Sequence, residues 1–206
     1  VQDDYDWDTR KAIVASDQGM SRDNWQLFAE LGWLSIPFAE EHGGFGGNIV
    51  DLSVVMEELG KGLVAEPYFP TVVLFGGLIK RAGNEAQQAE WLPRIIGGEV
   101  LGAFAYVERQ SRFALHDCQT SAIKSDDGYI LNGEKVVVFN GEQADHLVVL
   151  ARTSGDQSDS HGLSLFIVDA AAAGVHKMSY PLMDGQRVAN ITFKDVSVSA
   201  DALLGE

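Results

Sequence analysis

Apolar positions recur at helical spacing in the first half of the chain and gather into short β-branched runs in the second. Trp25, Leu27, Phe28 and Leu31 fall three and four apart and give one apolar helical face, with Gly32 as its stop. Asn48 is placed to cap a further helix, with Asp51 near its positive end. On that helix Leu52, Val55, Met56 and Leu59 share a face, and Glu57 and Lys61 make a weakly favourable pair. The pattern predicts another helix over 71–81, ending near Gly83, and one over 84–96, with Pro93 interrupting near its end. From there the period changes. Runs at 101–107, 136–139, 146–153, 163–168, 175–180 and 191–198 read as strands. Asp127-Gly128 and Asn132-Gly133 read as hairpin turns, and the polar stretch 154–161 as an exposed loop. Closely spaced strands with turns between them predict an antiparallel β-barrel or sandwich. The fold class is therefore α+β: an N-terminal all-helical domain over 1–98 and a β domain over 99–206, parted near Gly97-Gly98.

Composition narrows the class. With 206 residues, 46% hydrophobic and 22% charged, the chain can bury a substantial core. No apolar run is long enough to span a bilayer. The opening VQDDYDWDTRK is acidic, has no initiating Met and lacks the basic and apolar regions of a signal peptide. A formal charge of -15 repels phosphate backbones and argues against nucleic acid. Cys118 is the one cysteine, so neither a disulfide nor a cysteine metal cluster forms within the chain. These features together point to the cytoplasm.

Generic site motifs contribute little. Gly43, Gly44, Gly46 and Gly47 lie between two helices, lack G-x-G-x-x-G spacing and have no Walker Lys-Ser/Thr, so they read as a flexible interhelix turn. The five histidines form no H-E-x-x-H, and no G-x-S-x-G elbow is present. Glu40-Glu41 and Glu57-Glu58 are adjacent pairs that diverge around a helix and read as solvated faces. Cys118 has no evident activating partner in the sequence and reads as a small buried hydrophobe.

Five segments carry more information through their order: LFAELGWLSIPFAEEHGGFGG, VMEELGKGLVAEP, WLPRIIGGEVLGAFAYVE, YILNGEKVVVFNGEQADHLVVLART and ITFKDVSVSADALLGE. In this order and spacing the chain resembles the acyl-CoA dehydrogenase family from about Asn24 onward. The resemblance implies a helical domain, a middle β-barrel and a C-terminal helical bundle. The sequence stops at Glu206, where the family's bundle normally begins. It implies FAD as cofactor, an acyl-CoA substrate and transfer of electrons to an electron-transfer flavoprotein. The family's usual carboxylate base belongs to the bundle, so no catalytic residue is assigned here. The run Glu-Arg-Gln-Ser-Arg at 108–112 resembles the small subunits of pimeloyl-CoA dehydrogenases and subunits of heteromeric steroid side-chain dehydrogenases. Such subunits pair with a paralogous, fuller homologue and share or cede the flavin site.

The implied flavin-binding positions are Tyr106, Val107, Arg112, Phe113, Val137 and Phe139. By resemblance, Val107 and Phe113 replace hydroxyl residues, Arg109 a proline, Val137 a tryptophan, and Phe139 the hydroxyl that reaches the flavin. Tyr106 is the leading pocket candidate. Arg109 or Arg112 either pairs with a phosphate or a distal carboxylate or lies solvated at the barrel edge; Phe139 stacks on the ring or fills the space of the lost tryptophan. Two functions remain in view: a subunit of an FAD-dependent acyl-CoA dehydrogenase, and a non-catalytic assembly subunit that supports an active paralogue. An oxidase or monooxygenase on the same scaffold is a third.

Overall fold

Side-chain caps fix where the helices begin. The computed structural model describes residues 5–205; the acidic opening 1–4 and Glu206 lie outside them. Helix α1 (Trp7–Ala15) starts at Asp6, whose carboxylate accepts the Thr9 N–H at 2.7 Å. Helix α2 (Arg22–Glu30) starts at Ser21 and ends before Gly32, which takes a left-handed φ of 75°. Helix α3 (Ile49–Lys61) opens on a capping box in which Asn48 and Asp51 satisfy each other's orphan N–H groups. Glu57 and Lys61 pair at 3.0 Å on its exposed side. Helix α1 has no counterpart in the apolar pattern because none of its residues is buried.

The helix expected over 71–81 begins earlier and is wound in two ways. Phe69–Gly76 forms a π-helix with Pro70 in its first turn, and Gly77–Ala82 continues as α4. Helix α5 (Glu85–Ile96) runs through Pro93 and ends within a turn of it. Trp25, Phe28, Leu34, Phe38, Val72, Phe75, Ile79, Leu92 and Ile95 are among the buried residues of this helical unit. Phe75 meets Trp91 edge-on at 6.1 Å, and the Trp25 indole N–H donates to the Gly98 carbonyl at 3.2 Å.

The glycine run is not the flexible turn that its composition suggests. Gly46 and Gly47 N–H groups donate to the Phe38 and Ile36 carbonyls at 2.7 and 2.8 Å. A Cβ at Gly44 would run into the backbone carbonyl of Phe38. Gly44 and Gly47 allow close backbone approach, while Gly43 and Gly46 take left-handed φ of 88° and 66°.

The chain divides into two compact units, Val1–Leu101 with Pro181–Gln186, and Gly102–Tyr180 with Arg187–Glu206. Among the described residues, seven strands follow the helices: β1 (Gly102–Ala105), β2 (Ser121–Ser125), β3 (Gly128–Phe139), β4 (His146–Arg152), β5 (Leu163–Asp169), β6 (Val175–Pro181) and β7 (Arg187–Ser199). Their order is β1-β4-β2-β3-β7-β6, with β5 on β4. The expected antiparallel barrel is therefore corrected to a mixed sheet. β1 runs parallel to β4, and β2 is parallel to β4 at Ser121 and Arg152. The chain leaves β1 through a long loop instead of a hairpin, so β1 finds a strand running its own way. β1 and β3 are not neighbours in that order, yet Asn140 on the end of β3 donates its side-chain N–H to Gly102 at 3.3 Å. The sheet thus curls into a half-barrel around Leu131, Leu147, Phe166, Ile191 and Phe193.

Asp127-Gly128 turns β2 into β3 as expected. Asn132-Gly133 does not turn the chain; it sits inside β3 at a register shift against β7. Asn132 exchanges side-chain bonds with Asp195, and a Cβ at Gly133 would meet Thr120 at 2.5 Å. A bulge and a close approach need the same residue types as a hairpin. The 154–161 loop is exposed, as expected, and is tied down by one buried side chain. The Arg152 guanidinium donates to the carbonyls of His116, Cys118, Ser154, Gln157, Asp159 and His161. Among the described residues, no helix is long and apolar enough to cross a membrane.

Gly44→Ala should lower stability by about 1–3 kcal/mol, because backbone cannot yield to the new methyl group as a side-chain tip can. Urea denaturation of the two proteins measures this; a change below about 0.5 kcal/mol would show that the turn relaxes.

Candidate functional site

Two segments of the β unit carry four of the six candidate residues, and hydrogen bonds hold them side by side. Tyr106 and Val107 follow the end of β1; Val137 and Phe139 lie at the end of β3. The Val136 N–H donates to the Val107 carbonyl at 2.8 Å. Between Lys135 and Val138 the register against β7 shifts, and Val137 takes a left-handed φ of 53°, rare for a β-branched residue. Its N–H is turned to the Asn190 side-chain oxygen at 3.1 Å, which also accepts the Tyr180 hydroxyl at 3.0 Å. Val137 is left 37% exposed, whereas Tyr106, Val107 and Phe139 are half-buried. The Tyr106 ring stacks on Phe104 with centroids 4.6 Å apart.

Arg112 and Phe113 sit elsewhere, in the loop that leaves this rim. Phe113 is fully exposed at 100%, and Arg112 has a left-handed φ of 46°. No hydrogen bond or ion pair among the described residues joins either one to Tyr106, Val107, Val137 or Phe139. Arg109 pairs with Glu134 at 3.1 Å on the surface, and such a pair contributes about 0–1 kcal/mol.

Beneath the rim lies an ion pair that the sequence did not reveal. The Lys135 ammonium, 0% exposed, donates to Glu108 Oε1 at 2.7 Å. The same oxygen accepts the Thr120 N–H at 3.0 Å, and Oε2 accepts the Gln119 N–H at 2.8 Å and the Gln110 side chain at 2.7 Å. Burial pushes the Glu108 carboxyl upward, but hydrogen bonds from Lys135, Gln110 and Thr120 and the Lys135 charge outweigh it and hold the group at about 2. A carboxylate so well satisfied is a poor proton acceptor. Cys118 is buried as expected, but its surroundings are not merely apolar. Its sulfur lies 3.3 Å from Glu108 Oε1 and 3.6 Å from Lys135 Nζ. Burial raises the thiol pKa, which keeps it protonated and unreactive. A Glu just past one strand and a Lys among apolar residues of another, both facing inward, was the available signal.

Folded Glu108 titrates at about 2 against an ordinary 4.5, so the native state binds fewer protons than the unfolded chain between those values. Its contribution is complete above the unfolded pKa and is lost as pH falls through that window. Lys135→Met should cost about 3 kcal/mol at neutral pH, because it strands a buried carboxylate, and should flatten the acid-side loss. Urea midpoints across the acid range test both; an unchanged slope would show that the pair is not what depresses Glu108.

Comparison with known proteins agrees with this architecture. Residues 6–99 match the acyl-CoA dehydrogenase N-terminal domain and 103–196 the acyl-CoA dehydrogenase middle domain. The chain is similar to the mitochondrial long-chain specific acyl-CoA dehydrogenase of Rattus norvegicus, 34% identical over 91% of this chain and 45% of that protein. It is similar in structure to the Tcur3481-Tcur3483 steroid ACAD, with a TM-score of 0.83 and 25% identity over 94% of this chain and 50% of the other. A structure described as the electron transferring flavoprotein of Acidaminococcus fermentans gives a TM-score of 0.84 and 30% identity over 97% and 52% of the two chains. The chain thus spans about half the length of the relatives it matches. In sequence, in domain order and in fold, it carries the N-terminal and middle domains of the acyl-CoA dehydrogenase family.

Proposed function

We propose that this chain belongs to a subunit of an FAD-dependent acyl-CoA dehydrogenase that introduces an α,β double bond into an acyl-CoA thioester. The subunit is of the pimeloyl-CoA dehydrogenase small-subunit type and works in the cytoplasm with a paralogous dehydrogenase subunit, passing electrons to an electron-transfer flavoprotein. The helical domain occupies 1–98 and the β domain 99–206. One observation carries the reading. The two segments that by resemblance would face the flavin, at 106–107 and 137–139, lie side by side and are joined by the Val136 to Val107 hydrogen bond.

The residues present fit the apolar face of a flavin ring and not its polar edge. Val107 and Phe139 offer no hydroxyl, and the Val136 and Val137 N–H groups are already given to Val107 and Asn190. Tyr106, Val107, Val137 and Phe139 would supply contact area and orientation, while Arg112 and Phe113 stand exposed for a neighbouring surface. When bound, the flavin supplies the hydride acceptor for the substrate β-hydrogen. Proton removal is assigned to none of the described residues, since Glu108 is locked in its ion pair.

The same spent donors favour a second reading, in which the subunit has ceded its flavin and supports a paralogue. The two are separated by FAD content. Under the first reading, the chain alone retains FAD poorly, while the complex with a full-length paralogue carries FAD attributable to both subunits and bleaches anaerobically with acyl-CoA. FAD matching the paralogue alone would overturn the first reading. Val107→Thr with Phe139→Thr should tighten FAD binding about 5-fold per restored hydrogen bond of ~1 kcal/mol, measured by flavin fluorescence titration.

A further inference from the structure

We infer that Glu108 and Lys135 are positioning residues that clamp the two halves of the rim formed by Tyr106 and Val107 on one side and Val136 to Phe139 on the other. The inference rests on the flavin reading above for its purpose, though not for its geometry. Three links join the segments within a few residues. Lys135 Nζ donates to Glu108 Oε1 at 2.7 Å and reaches the Tyr106 carbonyl at 3.5 Å, and the Val136 N–H donates to the Val107 carbonyl at 2.8 Å. Lys135 therefore touches both the residue before Val107 and the residue after it.

The clamp cannot swing, because its acidic end is fixed from behind. Gln119 and Thr120 N–H groups and the Gln110 side chain hold both carboxylate oxygens, and the Ser111 hydroxyl receives the Glu108 N–H at 3.1 Å. Its basic end begins the bulge. The register shift against β7 lies between Lys135 and Val138, and the left-handed Val137 falls inside it. A β-branched residue stays in that region only where its surroundings overdetermine it. Here they are the Lys135 anchor on one side and the Asn190 acceptor on the other. Val107, Val137 and Phe139 carry no hydroxyl, so under the flavin reading the shape of the rim is what recognises the ring. The pair maintains that shape without touching a ligand.

Hydrogen exchange on the chain itself and FAD retention in its complex with a full-length paralogue give the test. Lys135→Met alone strands a buried charge and risks failing to fold. The double variant Glu108→Gln with Lys135→Met removes both charges and should keep the fold. In that variant, exchange of the Val136 and Val137 amides should accelerate by about tenfold or more while Val148 and Val149, in the core of β4, stay protected. FAD retained by the paralogue complex should fall in parallel. Uniform acceleration across the sheet, or unchanged rim amides, would overturn the clamp by reducing the pair to general stability. Selective loosening with FAD retention intact would overturn its role in positioning. A wild-type complex in which this subunit holds no FAD would instead defeat the flavin reading, and the exchange result would still decide the clamp.

Discussion

The β unit is organised around two opposite charges taken out of water together. Transferring a carboxylate and an ammonium into a protein interior is costly unless each finds a full set of partners. Here the carboxylate of Glu108 gathers Lys135, two backbone N–H groups and a carboxamide, and Lys135 is wholly enclosed. The consequence is directional. An apolar pair of the same volume would fill the space equally well but would not fix which strand end meets which. The ion pair sets the relation between the end of β1, the start of β2 and the middle of β3.

Around that fixed point the backbone departs from regular geometry wherever close approach or redirection is needed. Gly133 lets β3 pass against Thr120, and Val137 turns its N–H out of the ladder toward Asn190. In the helical unit Gly44 and Gly47 play the corresponding role, bringing the turn onto the backbone of Phe38 and Ile36. In both units the named glycines are positions of close approach to a neighbouring backbone, and Val137 is held instead by a side-chain acceptor.

Much of this was readable from local chemistry. The cap at Asn48, the stop at Gly32 and the turn at Asp127-Gly128 are local signals, and each is where the sequence placed it. What escaped is non-local or degenerate. Helix α1 buries none of its residues, so it leaves no apolar period to read. Asn132-Gly133 serves a bulge with the residues of a hairpin. The parallel pairing of β1 with β4 depends on a partner far along the chain, and alternation within a strand does not encode the direction of its neighbour. Cys118 read as an isolated small side chain because its neighbours Glu108 and Lys135 lie 10 and 17 residues away. The candidate flavin positions came from resemblance; four of the six lie on adjoining segments, and Arg112 and Phe113 lie exposed in the loop that follows β1.

The anchoring of the polar loop by Arg152 has a different kind of consequence. Its guanidinium engages only main-chain oxygens, from His116 and Cys118 on one side to Ser154, Gln157, Asp159 and His161 on the other. An anchor that recognises main chain is blind to side-chain identity. The anchor thus constrains the path of the loop, while composition is constrained separately where Gln157, Asp159 and Gly155 are engaged. Replacing the arginine by lysine would loosen that path, since a compact ammonium cannot span so many acceptors at once.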